Sequence, residues 1–112
     1  MTGAARRVGS AIARALAERG TNLVIHCRRS IREAESLAVD LRVRHGVQVE
    51  VLQARLENVA EVKKMAVAAL KKLKTIHILV NNASIYEQNQ FGRTSEKDWN
   101  KHLDANLRAP FL

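Results

Sequence analysis

Residues 2–30 read TGAARRVGSAIARALAERGTNLVIHCRRS, and this stretch decides the fold class. A turn containing Gly3 and Gly9 opens into a segment whose apolar residues, Val8, Ile12, Ala15 and Leu16, recur at helical spacing. Gly20 is a natural C-terminal stop for that helix. Leu23, Val24 and Ile25 form the short apolar run of a buried strand, and a second turn, His26 to Ser30, follows at once. The same order repeats outward along the chain. Ser30 with Glu33 has the form of a capping box and predicts a helix to about His45, closed by Gly46. Val47, Val49 and Val51 alternate as a strand does. Asn58 with Glu61 caps a third helix, with apolar positions at 59, 62, 66, 69, 70 and 73. Ile76, Ile78, Leu79 and Val80 predict another strand, Asn81 to about Thr94 an irregular stretch, and Ser95 with Asp98 the start of a last helix. Helices alternating with apolar strands imply βαβ crossovers. The expected fold is therefore α/β, a doubly wound parallel sheet with ligands at the carboxyl ends of its strands.

Composition narrows the class. A chain of 112 residues holds one domain at most, and 46% apolar residues suffice for a core. Cys27 is the single cysteine, so neither a disulfide framework nor a cysteine zinc site is available. His26, His77 and His102 lack metal-ligand spacing, and no metal is expected. The first residues lack the uninterrupted apolar stretch of a secretory signal. No run approaches the 18 or so apolar residues of a membrane span. The expectation is a soluble, cytoplasmic protein with no membrane partner. The net charge of +8 admits nucleic acid, a membrane surface or a phosphorylated ligand as partner. Trp99 and Phe111 read as packing residues, and no basic stripe interleaved with aromatics is present, so no nucleic-acid partner is expected.

The turns carry the chemistry. Thr2 to Gly9 has the glycines that let a backbone approach a pyrophosphate at a helix N-terminus, although the middle glycine of the dinucleotide fingerprint is missing. A fold preferring a free ribose 2′-hydroxyl places an acid after its second strand. Here Cys27 stands there, followed by Arg28, Arg29 and Ser30. That set suits a 2′-phosphate through guanidinium pairing, or else forms an exposed basic turn with Ser30 capping its helix. Asn81 and Asn82 at a strand end can bond neighbouring backbone and pin two strands, or simply make an Asn-rich turn.

Together these residues resemble the short-chain dehydrogenase/reductase family over essentially the whole chain. Thr2-Gly3 through Gly9 resembles the family's T-G-x-x-x-G-x-G turn, and Asn81-Asn82-Ala83-Ser84 its N-N-A-G. Asn106 matches the helix asparagine of the catalytic tetrad. Arg7 in place of the middle glycine, the His26-x-x-Arg29-Ser30 turn, and Ser84 followed after one residue by Tyr86 are similar to the pteridine reductase branch. The resemblance implies a Rossmann-like fold with residues 1–112 as part of an NADP-binding domain. It implies cofactor contacts from Gly3, Arg7, Val8, Gly9, Arg28, Arg29, Ser30, Leu56, Asn82, Ala83 and Ser84. Ser84 and Tyr86 would face substrate, with Tyr86 stacked on a pterin, or packed on its own loop as an ordinary aromatic.

Arg55 stands where relatives carry an aspartate beside the adenine, so only backbone contact near Leu56 is expected to survive. The family's first strand would precede the Thr2-Gly3 turn, and its catalytic serine, tyrosine and lysine would lie beyond Leu112. The expectation is a fragment, inactive alone, of an NADPH-dependent reductase of a pterin or dihydrofolate that is a homo-oligomer, a tetramer, when complete. The alternatives are reduction of a 3-oxoacyl thioester or other carbonyl compound, and non-catalytic NADP binding.

Overall fold

The computed structural model describes residues 1–90 and 92–112; Phe91, within the stretch expected to be irregular, lies outside the described residues. Helix α1 (Arg7–Glu18) leads into strand β1 (Leu23–Cys27), α2 (Ile31–His45), β2 (Val49–Gln53) and α3 (Val59–Leu73). After the segment 74–95 come α4 (Glu96–Leu103), one π-helical turn (Asp104–Arg108) and α5 (Ala109–Phe111), a single continuous helical rod. β1 and β2 pair in parallel, from Leu23 beside Val49 to Cys27 beside Gln53. Parallel neighbours joined through α2 make the βαβ unit that the alternation implies. The fold is α/β and Rossmann-like.

The core forms where α1 and α2 pack on this sheet. Leu23, Ile25 and Cys27 share it with Ala13, Ala17, Ala34, Leu37, Ala38 and Leu41. The apolar spacing locates α1, but its innermost stripe is Gly9, Ala13 and Ala17, whereas Val8 is 67% exposed. Small residues one turn apart let a helix axis approach the sheet, and the larger Ile12 and Leu16 flank the contact. Gly20 and Gly46 end α1 and α2 with positive φ, as their positions predict. Asn58 caps α3 by accepting from the Ala60 and Glu61 amides, and Ser95 with Asp98 forms a reciprocal capping box on α4.

Two expectations are corrected. Ser30 occupies the N-cap position of α2 without a side-chain cap bond, because its backbone is not extended and the Ile31 amide turns back to the Arg29 carbonyl. Glu33 faces Arg6 instead, 3.7 Å away. The strand expected over Ile76–Val80 is not formed. Met1 to Ala4 runs along β1 on the edge away from β2: the Met1 amino group donates to the Val24 carbonyl (2.7 Å), and the His26 amide donates to the Met1 carbonyl (3.1 Å). The segment 76–80 lies beyond this short stretch, and the Thr2 amide bond to the Val80 carbonyl (2.9 Å) is its backbone link among the described residues. A strand exists only through its partners. One such bond is too few, and Ile78 and Leu79 are left 61% and 67% exposed.

An apolar, unladdered edge of this kind is an aggregation site. The isolated 112-residue chain is therefore expected to self-associate and to unfold over a broad range in a thermal scan. A monodisperse monomer that melts cooperatively would contradict this.

Candidate functional site

The carboxyl ends of β1 and β2, the start of α1, and the turn after Val80 converge on one cavity of about 560 Å³. Its floor is the Thr2-Gly3 turn. The Asn82 side-chain amide donates to the Thr2 and Gly3 carbonyls, both at 3.0 Å, and the Thr2 hydroxyl accepts from the Asn82 and Ala83 amides at 3.1 and 3.0 Å. The asparagine turn thus pins the first turn, as the short polar side chains at a strand end allow. Gly9 sits in the closest part of the joint. A Cβ there would lie 2.1 Å from the Gly3 carbonyl oxygen and 2.7 Å from the Asn82 side-chain nitrogen. Gly3 has φ of +63°, and a Cβ on it would meet Ala83 at 2.9 Å.

His26 closes the joint from below. Its Nδ1 accepts from the Gly3 amide (3.2 Å), and its Nε2 faces the Ala54 carbonyl (3.0 Å). These partners require the neutral ring with its proton on Nε2. Burial pushes its pKa below the ordinary value, the nearby Met1 amino group adds to this, and the Ala54 carbonyl opposes it. The adjoining Cys27 is buried and free, and burial, with Glu35 and Glu33 nearby, raises its thiol pKa.

The cavity wall gathers Gly3, Arg7, Val8, Gly9, Arg28, Arg29, Ser30, Leu56, Asn82, Ala83 and Ser84, residues from four separate turns. Ala5, Arg6, His26, Cys27, Glu57, Ile85 and Ala105 also line it, and sequence reasoning did not single them out as site residues. His26 could have been found from its place between the strand and the arginines. Ile85 and Ala105 carry no chemical signal. Arg7 takes φ of +53°, a left-handed backbone that costs a non-glycine residue about 1 kcal/mol or more. Arg28 is held by Glu57, its Nη2 2.5 Å from the carboxylate, whereas Arg29 has no ion pair among the described residues. Arg55 faces away from the cavity, and its backbone amide and guanidinium both engage Glu61. That pairing lowers the Glu61 carboxyl pKa.

Helices α1 and α2 both start at this cavity, with Arg6 and Ser30 at their N-caps, and neither start has a side-chain cap. The starts of α3 and α4 are both capped. The α1 start brings the amides of Arg7, Val8 and Gly9 to the cavity, and the positive dipole end of α2 reaches it at Ser30. Tyr86 and Asn106 are not in the wall. Tyr86 is 84% exposed. Asn106 lies in the π-helical turn, and its side chain bonds the Ile85 backbone twice: Oδ1 accepts from the amide (2.8 Å) and Nδ2 donates to the carbonyl (2.9 Å). Among the described residues no cluster of three or more potential metal ligands occurs, and no helix is long and apolar enough to cross a membrane.

A family model described as short chain dehydrogenase matches residues 1–112. The 3-oxoacyl-(acyl-carrier-protein) reductase FabG of Staphylococcus epidermidis is 33% identical over 111 residues, 99% of this chain and 45% of that protein. Nodulation protein G of a Rhizobium species is 39% identical over 99% of this chain and 43% of its own length. The chain thus spans under half the length of these curated relatives. Among solved structures, FolM alternative dihydrofolate reductase 1 from Brucella canis, complexed with NADP, is similar at 35% identity with a TM-score of 0.90, covering 98% of this chain and 44% of that one. A blue fluorescent protein from a metagenomic library, in complex with NADPH, has a TM-score of 0.93 at 30% identity, covering 98% of this chain and 45% of that one.

The His26 geometry sets a pH dependence. The folded state holds the ring neutral, so stability is full above about pH 6.5 and is lost as the pH falls below it, where the unfolded chain takes up a proton first. Urea midpoints of the gene product should fall between pH 7.5 and 5.5 for wild type, and by clearly less for His26→Phe. Equal pH slopes for the two would remove His26 as the cause.

Proposed function

The chain belongs to the short-chain dehydrogenase family, and from that membership we propose that the complete protein is an NADPH-dependent reductase whose cofactor occupies the cavity above the Thr2-Gly3 turn. The carrying observation is the pair of uncapped helix starts that share this cavity with Arg29. A dinucleotide phosphate brings two anionic groups, and this cavity offers two places for them. The residues fit the group. Gly3 and Gly9 line the cavity without side chains, so the backbone is bare where a pyrophosphate would approach. Arg7, Val8 and the amides of the first turn would hold that end, while Arg28, Arg29 and Ser30 would hold the 2′-phosphate. Leu56 would flank the adenine, and Asn82, Ala83 and Ser84 would line the nicotinamide side. Bound there, the nicotinamide supplies a hydride to a C=N or C=O carbon.

Within the 2′-phosphate contact the two arginines differ. Glu57 already neutralises Arg28, so Arg29 is assigned the larger share. Asn106 is assigned to the catalytic set by its motif, and its two hydrogen bonds to the Ile85 backbone join that helix to the cavity wall. The tyrosine and lysine of the family's proton-transfer step would lie past Leu112.

For the substrate we favour a pterin or dihydrofolate. Arg7 in place of a glycine, the His26 to Ser30 turn, and Ser84 and Tyr86 support this reading, as does the likeness to a structure named as a dihydrofolate reductase. The exposed Tyr86 ring would stack on the planar substrate, worth roughly 0.5–1.5 kcal/mol beyond burial. The similarity to 3-oxoacyl reductases supports the second reading, a β-keto thioester or other carbonyl substrate. Trp99, Leu103, Leu107 and Phe111 leave an apolar stripe along the terminal rod, which supports a homo-oligomer, and the lone buried Cys27 supports a cytoplasmic enzyme.

The test compares kcat/KM of the full gene product with NADPH and NADH, using a dihydropterin and an acetoacetyl thioester as substrates. A charge-assisted contact contributes roughly 1.5–3 kcal/mol, so at least tenfold preference for NADPH is expected. That preference should collapse in Arg29→Ala with NADH use little changed. Equal use of the two cofactors by wild type would refute the cofactor assignment, and activity confined to the thioester would select the second substrate reading.

A further inference from the structure

The segment after Ser84 is held to the terminal rod by a second clamp, one turn before Asn106. His102 Nε2 accepts from the Glu87 amide at 3.1 Å, and its Nδ1 faces the Asp98 carbonyl at 2.8 Å, four residues back on the same helix. An amide donating to Nε2 requires the ring proton on Nδ1, where the Asp98 carbonyl accepts it. The ring is therefore fixed at both ends. Lys101 adds an ion pair to the Glu87 carboxylate. Ile85 and Glu87, two residues apart, thus both turn their backbone toward the helix and leave Tyr86 between them.

Tyr86 has no hydrogen-bond partner of its own among the described residues and is 84% exposed. Its backbone position is therefore set by its two anchored neighbours. On the Ile85 side the anchor is Asn106. On the Glu87 side the anchoring of the backbone depends on His102, because Lys101 reaches the flexible carboxylate and not the main chain.

We propose that His102 is a positioning residue for substrate binding: acting through the Glu87 backbone, it fixes where the segment 85–87, which follows the cavity wall, presents Tyr86. This rests on the reading above that Tyr86 stacks on a planar substrate. Holding a binding group in place before the substrate arrives removes an ordering cost from binding, so the effect belongs in KM more than in kcat.

The test uses the full gene product with NADPH and a 7,8-dihydropterin, and the variants His102→Ala, His102→Gln and Tyr86→Ala. Glutamine reaches about as far as Nε2 and can accept from the Glu87 amide. His102→Ala should speed amide hydrogen exchange at Glu87 and raise the pterin KM about threefold to tenfold, the loss of roughly one hydrogen bond, with kcat altered less than about twofold. His102→Gln should recover most of both. Should His102→Ala not fold, His102→Asn, polar but too short to reach Glu87, takes its place. Unchanged exchange in the disruptive variant overturns the clamp whatever Tyr86 does. Faster exchange with an unchanged KM, where Tyr86→Ala does raise KM, overturns the positioning role. If Tyr86→Ala itself leaves KM unchanged, the stacking reading fails, and the inference falls with it for that separate reason.

Discussion

The side-chain amide of Asn82 donates to two successive carbonyls, those of Thr2 and Gly3, while the Thr2 hydroxyl accepts from the Asn82 and Ala83 backbone amides. His26 holds the same turn from β1, through the Gly3 amide. The Asn82 and Ala83 contacts join residues some 80 positions apart in sequence, and the placement of the cavity wall follows from them. Gly9 has to lack a side chain because the joint has closed on it. The start of α1 faces the cavity because the turn before it is fixed, and Ser84 and Ile85 reach the wall because Asn82 anchors the segment they follow. A partly buried polar joint of this sort is costly when half satisfied, so each partner constrains the others.

The cavity concentrates local costs that the rest of the chain avoids. α3 and α4 satisfy first-turn amides with the Asn58 and Ser95 side chains, but α1 and α2 have no side-chain cap where they start at the cavity. Arg7 holds a left-handed backbone where the resembling motif has glycine. Arg6, Arg7, Arg28 and Arg29 surround one volume, with Glu57 pairing Arg28 and Glu33 facing Arg6, which leaves Arg7 and Arg29 without an ion pair among the described residues. Departures from local preference that cluster at one place mark a site built to hold something, and the charge they leave is positive.

Much of this was legible in the sequence, for identifiable reasons. Helix stops at Gly20 and Gly46 and starts at Asn58 and Ser95 are local, so a few residues decide them. The four turns that form the wall were found because each follows an apolar run or opens a helix. The Ser30–Glu33 box misled, because the motif fits any helix start and the Arg29-Ser30 backbone took another conformation. The strand at Ile76–Val80 misled because apolar pattern reports burial potential, whereas strand formation needs a partner of matching length beside it. The stripe of α1 shifted from Val8 to Gly9 because packing against a sheet favours the smallest residues, which hydrophobic spacing counts least. The clamps on Ile85 and Glu87 were invisible, since they depend on a helix and a loop meeting, and the phase of that helix is altered by a π turn.

The central claim is that the Asn82 joint builds the phosphate cradle of a dinucleotide. Calorimetric titration of NADPH into the full gene product, wild type beside Asn82→Ala, tests it directly. Removing the amide leaves the Thr2 and Gly3 carbonyls without their donor and frees the turn. The account predicts retained helical circular dichroism with NADPH affinity reduced by at least about tenfold, the loss of one to two hydrogen bonds' worth of order. An Asn82→Ala protein that is folded and binds NADPH as tightly as wild type would contradict it.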